Sequence, residues 1–414
     1  MSAFVLQAIS AYDDMPTFTG TRDRACSVLS GEDRPVSNLR MGRRRVLALV
    51  LGGIAGLGFG ALNLIGGRKA MAQGLLETVV YVSNAGSKDV FVLAMNRATG
   101  ALDLIEKTAV PGTDKPSPQS LPMATSPDKR YLYAQLRTEP YPVSTFAIDR
   151  TTGRLKHLAS TPLVDQMAYL STDRTGKFLL TASYVGAKLA IYPINGQGIV
   201  EAQATQILDT KPKAHCVVID AGNTNVYVPV LGGDIVMALK FNPATGTVSP
   251  NGEVATKVGA GPRHLTFHPN GKFAYLITET TATVGTFAVD SASGTLKELQ
   301  FIDTNEYKEQ PAASDIHVTP DGKFLYGAER RTSMLIGYRI DPGTGTLTPI
   351  GRFPTEKTPR GFAIDPRGRF LLSVGMASAG MTVYTIDQGS GELRPIGGHP
   401  MGTQPNWIEI VDLK

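Results

Sequence analysis

The stretch GPRHLTFHPNGKFAYLITE, residues 261–279, carries ionisable side chains at both ends of what otherwise resembles an ordinary β-hairpin. Arg263 and His264 stand at its start, and Glu279 closes it. An imidazole can move protons near neutral pH, a guanidinium offers paired donors to anionic oxygens, and a carboxylate can orient either group. Brought together, these three side-chain types could bind an anion and carry out acid–base chemistry on it.

Similar side chains stand at comparable places in other parts of the chain. The further candidates are His215 in KAHC, His317 in DIH, Arg330 in AER, Arg137 in QLR and Arg360 in TPRG. They are far apart in sequence. A common site therefore requires a fold that repeats one hairpin and points every copy in the same direction.

The sequence does repeat this hairpin, at intervals of 46 to 52 residues. The related segments are ETVVYVSN (77–84), SPDKRYLYAQLR (126–137), TDRTGKFLLTASY (172–184), IDAGNTNVYVPVL (219–231), VTPDGKFLYGAER (318–330) and IDPRGRFLLSVGM (364–376). With the opening hairpin they make seven units. A repeat of this length is typical of a β-propeller.

Each unit contains four stretches of alternating apolar and polar residues, which predict four strands, A to D. In the opening unit these are HLTFH, FAYLIT, TVGTFAVD and TLKELQFID, joined by turns that place Gly where a positive φ is needed. The sequence thus predicts an all-β fold, a seven-bladed β-propeller of four-stranded antiparallel blades. The first unit begins at strand B, and the final QPNWIEIVDL (404–413) can supply its strand A and close the ring.

This fold would gather the ionisable residues. Strand A starts and strand B ends at the same end of each blade, so all seven copies converge on one mouth of the central channel. The residues predicted to lie there are His215, Arg263, His264, Glu279, His317, Arg330, Arg137 and Arg360, with Asn84 and Asn406 from the closing blade. His268 falls at the opposite end, and His157 and His399 fall outside strands A and B.

Plainer roles are open for each of these residues. Any of them could cap a strand, Glu279 could simply neutralise Arg263, and His264 and His317 could pack between strands. The mixture of several arginines, histidines and one glutamate at a concave mouth nevertheless favours an anionic ligand. A metal site is not predicted, because carboxylates are few and no histidine pair has ligand spacing along one element.

The repeats resemble the seven-bladed β-propeller lactonase family, which includes bacterial 6-phosphogluconolactonases and fungal enzymes that cyclise carboxymuconate. The family patterns P-H-x-x-x-x-D, G-P-R-H, N-E and N-R correspond here to Ala214-His215, Gly261-Pro262-Arg263-His264, Thr278-Glu279 and Glu329-Arg330. The resemblance implies a lactonase without a cofactor. Its catalytic residues would be His215, Glu279, Arg263 and Arg330. From their predicted place at the same mouth, we expect His264, His317, Arg360 and Arg137 to bind the substrate.

Several neighbours depart from the family pattern, and they reshape the rim of the expected pocket. Ala214 replaces Pro, Val230 replaces Asp, Gly375-Met376 replaces Asn-Gln, and Ser183, Thr278 and Glu329 replace Asn. Three functions therefore remain open: hydrolysis of an anionic lactone, the reverse closure of a lactone by a cycloisomerase, and a non-catalytic envelope scaffold that only docks a ligand. A monomer is expected.

The N-terminal region predicts export. Residues 41–72 combine Arg43-Arg44-Arg45, a glycine-containing apolar run and Ala70-Met71-Ala72, the pattern of a twin-arginine-type signal cleaved after Ala72. We expect residues 1–40 to be a disordered extension or a misassigned start, and residues 73–414 to be a periplasmic or secreted propeller. An uncleaved membrane anchor is the alternative.

Charge and cysteine content agree with this organisation. Residues 1–72 hold nine of the 41 Lys and Arg residues and five of the 36 Asp and Glu residues, which leaves the propeller nearly neutral. A nucleic-acid partner is not predicted, because it would require a concentrated basic face. With Cys216 alone in the propeller, no disulfide framework can form there.

The predicted export also bears on the substrate. Since phosphorylated sugar lactones belong to cytoplasmic metabolism, we expect an exported protein to meet unphosphorylated aldonolactones or other anionic lactones.

Overall fold

The chain forms seven four-stranded antiparallel sheets, and in five of the contacts between neighbouring sheets the two innermost strands pack against each other. The structure, a computed structural model, describes residues 76–116, 120–303 and 310–414. The predicted seven-bladed propeller is confirmed. The predicted extension and export signal lie outside the described residues, and within the described ranges no helix is long and apolar enough to span a membrane.

Each of the first three blades runs from an innermost strand A to an outermost strand D. Blade 1 contains β28 (Pro405–Asp412), β1 (Thr78–Asn84), β2 (Asp89–Met95) and β3 (Leu102–Ala109). Blade 2 contains β4 (Met123–Thr125), β5 (Tyr131–Gln135), β6 (Pro142–Ile148) and β7 (Leu155–Pro162). Blade 3 contains β8 (Tyr169–Thr172), β9 (Phe178–Ser183), β10 (Lys188–Pro193) and β11 (Gln206–Asp209).

The remaining four blades follow the same order. Blade 4 contains β12 (Val218–Ile219), β13 (Asn225–Val230), β14 (Ile235–Asn242) and β15 (Thr247–Ala255), with a short 3₁₀ turn at Leu231–Gly233. Blade 5 contains β16 (Pro262–Phe267), β17 (Phe273–Thr278), β18 (Thr283–Asp290) and β19 (Thr295–Asp303). Blade 6 contains β20 (Ala313–Val318), β21 (Phe324–Glu329), β22 (Met334–Ile340) and β23 (Leu347–Pro354). Blade 7 contains β24 (Pro359–Ile364), β25 (Phe370–Gly375), β26 (Gly380–Ile386) and β27 (Leu393–Pro400).

The last strand closes the ring as the sequence predicted. β28 pairs with β1 along its length, with Thr78 opposite Asp412 and Val82 opposite Ile408. One blade is therefore built from both ends of the described chain, so unfolding either end would open the ring. Closure also removes the unpaired edge that an open array of strands would expose.

Apolar side chains of strands B and C fill the space between blades, and a recurring tyrosine links adjacent blades. In five blades a buried strand-B tyrosine donates its hydroxyl hydrogen to the carbonyl of the C–D turn glycine in the next blade: Tyr81 to Gly153, Tyr133 to Gly198, Tyr227 to Gly294, Tyr275 to Gly345 and Tyr326 to Gly391. These glycines have positive φ values, as at Gly294 (φ 73°). The contacts fix neighbouring blades against each other and so hold the channel residues in place.

Candidate active site

Two arginines enter the site from β-bulges in strand A. The register between β16 and β17 shifts around Arg263, and the register between β24 and β25 shifts in the same way around Arg360. A bulge inserts one extra residue and redirects its side chain. The motifs GPRH and TPRG therefore present an arginine at equivalent points of blades 5 and 7.

Glu279 ties two of the arginines together. One carboxylate oxygen, Oε2, lies 2.8 Å from Nε of Arg263, and the other, Oε1, lies 3.0 Å from Nη2 of Arg330. Nε of Arg330 also donates to the carbonyl of Ala312 over 2.9 Å. Burial disfavours ionisation of Glu279, but the guanidiniums of Arg330, Arg263 and Arg360 outweigh it and lower the pKa of Glu279 below its usual value. The carboxylate is therefore charged and occupied by two ion pairs.

Arg360 and Arg137 bring further positive charge. Arg360 makes no hydrogen bond or ion pair to any residue that the structure describes. Burial, and then repulsion from Arg263, Arg330 and Arg137, lower the pKa of Arg360 well below its usual value. Arg137 is 9% exposed and donates from Nη1 to the hydroxyl of Ser120 over 2.8 Å. Four guanidiniums around one carboxylate form a site suited to an anionic ligand.

His215 is the buried imidazole beside this cluster. It is 4% exposed and lies edge-on to Tyr184 and His264, with ring centroids 5.5 and 5.2 Å away. Its Nδ1 has no hydrogen-bond partner among the described residues. Burial and the nearby charge of Arg263, His264 and Arg360 lower the pKa of His215 well below 6.5. The imidazole is therefore neutral near pH 7, as a general base must be before it accepts a proton.

His264 has a different environment although it is next to Arg263 in sequence. Its Nε2 lies 3.1 Å from Nη1 of Arg263, and its Nδ1 lies 2.9 Å from Oδ1 of Asp315. The ring is 5% exposed and packs edge-on against Tyr169, with centroids 5.1 Å apart. Burial and the charge of Arg263 lower the pKa of His264 to about 4. His264 thus lies in the cluster, but both of its nitrogens are already engaged by protein groups.

His317 does not join the cluster at the mouth, contrary to the sequence-based expectation. The register of β20 with β21 shifts between Ala313 and Ile316, so His317 lies farther along the strand than its place in DIH suggested. Its Nε2 lies 3.1 Å from Oδ2 of Asp315, on the side of that carboxylate away from His264. Burial opposes protonation, but the charge of Asp315 outweighs it and raises the pKa of His317 above 6.5.

His317 instead lines two cavities of about 290 and 220 Å³ at the A–B-turn end of the channel. Their walls include the ends of several A strands, among them Thr172, Phe267 and Val318. Tyr169, Asp315 and His317 border both cavities. His264 also borders the 290 Å³ cavity and so lies between it and Arg263, while the substrate-binding role of His317 stays a prediction.

Asp315 and Tyr169 are the residues that sequence reasoning missed. Asp315 accepts hydrogen bonds from both His264 and His317. The charge of His317 and these two bonds outweigh burial and hold the pKa of Asp315 far below its usual range. The carboxylate in SDIH was visible in the sequence, but its position beside a bulge was not. Tyr169 begins β8, upstream of the repeat segment recognised in the sequence, and its ring packs edge-on against both His264 and Trp407.

The other residues singled out in the sequence have structural contacts. Asn406 accepts from the amide of Leu121 over 3.1 Å, and the Asn84 amide group donates to Asp89 over 2.7 Å. His268 lies in the turn between β16 and β17, where its Nε2 donates to the carbonyl of Gly322 over 3.0 Å. Burial raises the pKa of the Cys216 thiol to about 12, which makes it unreactive near neutral pH.

Glu329, one of the departures from the family pattern, is fully engaged by the backbone. Its carboxylate accepts hydrogen bonds from the amides of Ala312, Arg331 and Thr332, at 2.7 to 3.1 Å. It therefore shapes the turn that carries Arg330. In the described ranges no group of three or more His, Cys, Asp or Glu side chains is arranged to hold a metal ion.

Comparisons with known proteins agree with the fold. The family model described as "Lactonase, 7-bladed beta-propeller" matches residues 78–410. The 6-phosphogluconolactonase of Pectobacterium atrosepticum is 37% identical over 70% of this chain and 85% of its own length, and that of Serratia proteamaculans is 35% identical over 70% and 86%. The periplasmic gluconolactonase PpgL of Pseudomonas aeruginosa superposes with a TM-score of 0.74 at 25% identity, covering 82% of this chain and 100% of PpgL.

Proposed function

Because this chain belongs to the seven-bladed β-propeller lactonase family, we propose that it hydrolyses an anionic or sugar-type lactone at the mouth of its central channel. One observation carries the proposal: neutral His215 lies beside Arg263 and Arg360, in a guanidinium cluster in which Glu279 bridges Arg263 and Arg330. Such a site combines a proton acceptor with donors for anionic oxygens, and both are needed to open an ester ring with water.

His215 and the guanidiniums of Arg263 and Arg330 can together hydrolyse a lactone. His215 accepts a proton from water as the water oxygen attacks the lactone carbonyl carbon. The negative charge that develops on the carbonyl oxygen is stabilised by a guanidinium of Arg263 or Arg330. When the ring C–O bond breaks, the imidazolium of His215 returns the proton to the departing alkoxide, so the product is the open hydroxy acid and no other reactant is consumed.

Substrate charge contributes to this mechanism. In the free protein the neighbouring cations hold the pKa of His215 low, which makes it a weak base. An anionic substrate bound to Arg360 and Arg330 would offset those charges and raise the pKa of His215. The base would thus become stronger only when a substrate is present. Glu279, with both oxygens in ion pairs, orients the guanidiniums rather than sharing the proton transfer.

We further propose that the protein is exported by the twin-arginine route and acts on unphosphorylated lactones, above all those that carry a carboxylate. The proposal is supported by the leader in residues 41–72 and by the likeness to a periplasmic gluconolactonase. Cleavage after Ala72 would leave the propeller without a membrane span. N-terminal sequencing of the protein recovered from the periplasm should begin at Gln73; an intact leader in a membrane fraction would contradict this part of the proposal.

A panel of lactones assayed by pH-stat tests the activity. We expect a carboxylated, unphosphorylated sugar lactone to be hydrolysed well above its spontaneous rate, and faster than both neutral D-glucono-1,5-lactone and 6-phosphogluconolactone. Preference for the phosphorylated lactone would overturn the substrate assignment but keep the reaction. Failure to hydrolyse any sugar or carboxylated lactone would overturn the proposed function itself.

A further inference from the structure

Hydrogen-bond chemistry fixes the tautomer of His264. A guanidinium can only donate hydrogen bonds, so Nε2 of His264, 3.1 Å from Nη1 of Arg263, must be the acceptor. Nδ1 therefore carries the hydrogen and donates it to Oδ1 of Asp315 over 2.9 Å. The neutral state that this arrangement requires agrees with the lowered pKa of His264.

Asp315 is itself held firmly on both oxygens. Oδ1 also accepts from the amide of Ile316 over 3.0 Å, and Oδ2 accepts from the amide of Phe362 in blade 7 over 3.2 Å. His317 supplies a further donor to Oδ2. Backbone groups of two adjacent blades thus fix the carboxylate, and the carboxylate fixes the imidazole ring of His264.

These contacts leave Arg263 with one defined set of available donors. Its Nε donates to Glu279, and the two hydrogens of Nη1 are directed to the carbonyl of Ser314 and to Nε2 of His264. Nη2 makes no hydrogen bond to any residue within the described ranges. The guanidinium is therefore held along two of its three edges, and a single pair of N–H groups remains for a ligand.

We infer that Asp315 and His264 are positioning residues for Arg263. They set the plane of the guanidinium so that Nη2 can meet the oxyanion formed during lactone opening. This inference rests on the proposed function, since only a reaction with a developing oxyanion requires that alignment. Neither Asp315 nor His264 would contact the reacting atoms, which distinguishes His264 from His215 although the two rings are neighbours.

Two variants of matched polarity separate this role from simple packing. His264→Gln retains an acceptor near the position of Nε2 but loses the bond to Asp315. His264→Asn retains a donor near the position of Nδ1 but cannot reach Arg263. If His264 aligns Arg263, we expect kcat to fall by about 100-fold in the Asn variant and by less than about 10-fold in the Gln variant. KM should stay nearly constant, because the loss of a contact that is made only in the transition state lowers kcat and kcat/KM by the same factor. Equal losses in both variants would overturn the inference.

Ring ¹⁵N chemical shifts give a readout that does not depend on turnover. In wild-type protein labelled at histidine, the signal that disappears in His264→Asn should show a protonated Nδ1 and an unprotonated Nε2 at pH 7. Asp315→Asn should increase the fraction with Nε2 protonated, because it removes the negative charge that holds the Nδ1 hydrogen. A wild-type ring protonated at Nε2 would contradict the inference directly.

The outcomes also separate this inference from the proposed function. If the wild-type protein hydrolyses no lactone, the function fails, and inorganic phosphate can be used as the probe of Arg263 alignment. Phosphate should then bind about tenfold more weakly to His264→Asn than to His264→Gln. Equal dissociation constants for the two variants would overturn the positioning role independently of any enzyme assay.

Discussion

The rings of His215 and His264 lie edge to face with their centroids 5.2 Å apart, yet only His264 has protein partners on both nitrogens. Nδ1 of His215 has no partner among the described residues. Two buried imidazoles side by side are thus available for different tasks. His215 can exchange a proton with a substrate, whereas His264 is committed to orienting Arg263.

The pH dependence of the rate should differ between free and substrate-bound protein. Because nearby cations keep the pKa of His215 well below 6.5, the acid limb of kcat/KM should lie well below pH 6.5. Because an anionic substrate offsets those cations, the acid limb of kcat should lie at higher pH. pH-stat measurements of both parameters, corrected for spontaneous hydrolysis, check this; coincident limbs would exclude the proposed coupling.

Arg360→Gln should weaken substrate binding and stabilise the fold. Arg360 is partly buried beside three other guanidiniums and forms no ion pair with any described residue, so its removal relieves repulsion. We expect KM for an anionic lactone to rise about tenfold and the unfolding midpoint to rise by about 2 °C. Arg367→Gln, an exposed change in the turn between β24 and β25, is the control and should alter neither value. A lowered midpoint with unchanged KM would mean that Arg360 is a structural residue.

Glu279→Gln should have the opposite effect on stability. The carboxylate bridges Arg263 and Arg330 at 2.8 and 3.0 Å, and without its charge the arginines repel one another. We expect a loss of about 3 kcal/mol in the free energy of unfolding, measured in urea, together with a large loss of activity. An active variant of unchanged stability would show that the bridge is dispensable.

His264 should make stability depend on pH in the acid range. Its pKa is about 4 in the fold, whereas the unfolded side chain titrates near 6.5, so between these values only the unfolded state binds the proton. The free energy of unfolding should therefore fall by about 3 kcal/mol as pH drops from 6.5 to 4. The lowered pKa of His215 also makes the fold less stable as pH falls. The raised pKa of His317 has the opposite effect, because the stability that protonated His317 contributes is present at low pH and is lost as pH rises. Urea unfolding of wild type and His264→Gln across this range should show a shallower slope for the variant.

The fold could be predicted from the sequence because its cause is local and repeated. Alternating apolar residues, turn glycines and a constant spacing specify each blade, and the strand-A pattern at 404–413 specifies closure. The grouping of Arg263, Glu279 and Arg330 followed from which strand ends meet at one mouth.

The positions of β-bulges could not be predicted from the sequence. A one-residue register shift in β16 or β20 reverses the faces of the residues that follow it, and period-2 patterns do not reveal where such a shift occurs. The DIH motif does not mark the start of a strand A: β20 begins at Ala313, so His317 lies near its far end, and the pattern does not show that Asp315 lies beside a bulge. The two roles of His215 and His264 depended on hydrogen-bond partners in other blades, which sequence spacing does not specify.

The central claim is that His215 carries the proton transfer, and the most direct measurement is the lactone hydrolysis rate of His215→Ala beside His399→Ala. His399 lies on the outer strand β27, so its replacement makes the same chemical change away from the channel. We predict that kcat/KM falls by about 10²–10⁴-fold in His215→Ala and stays at the wild-type value in His399→Ala. Wild-type hydrolysis by a folded His215→Ala protein would contradict the account.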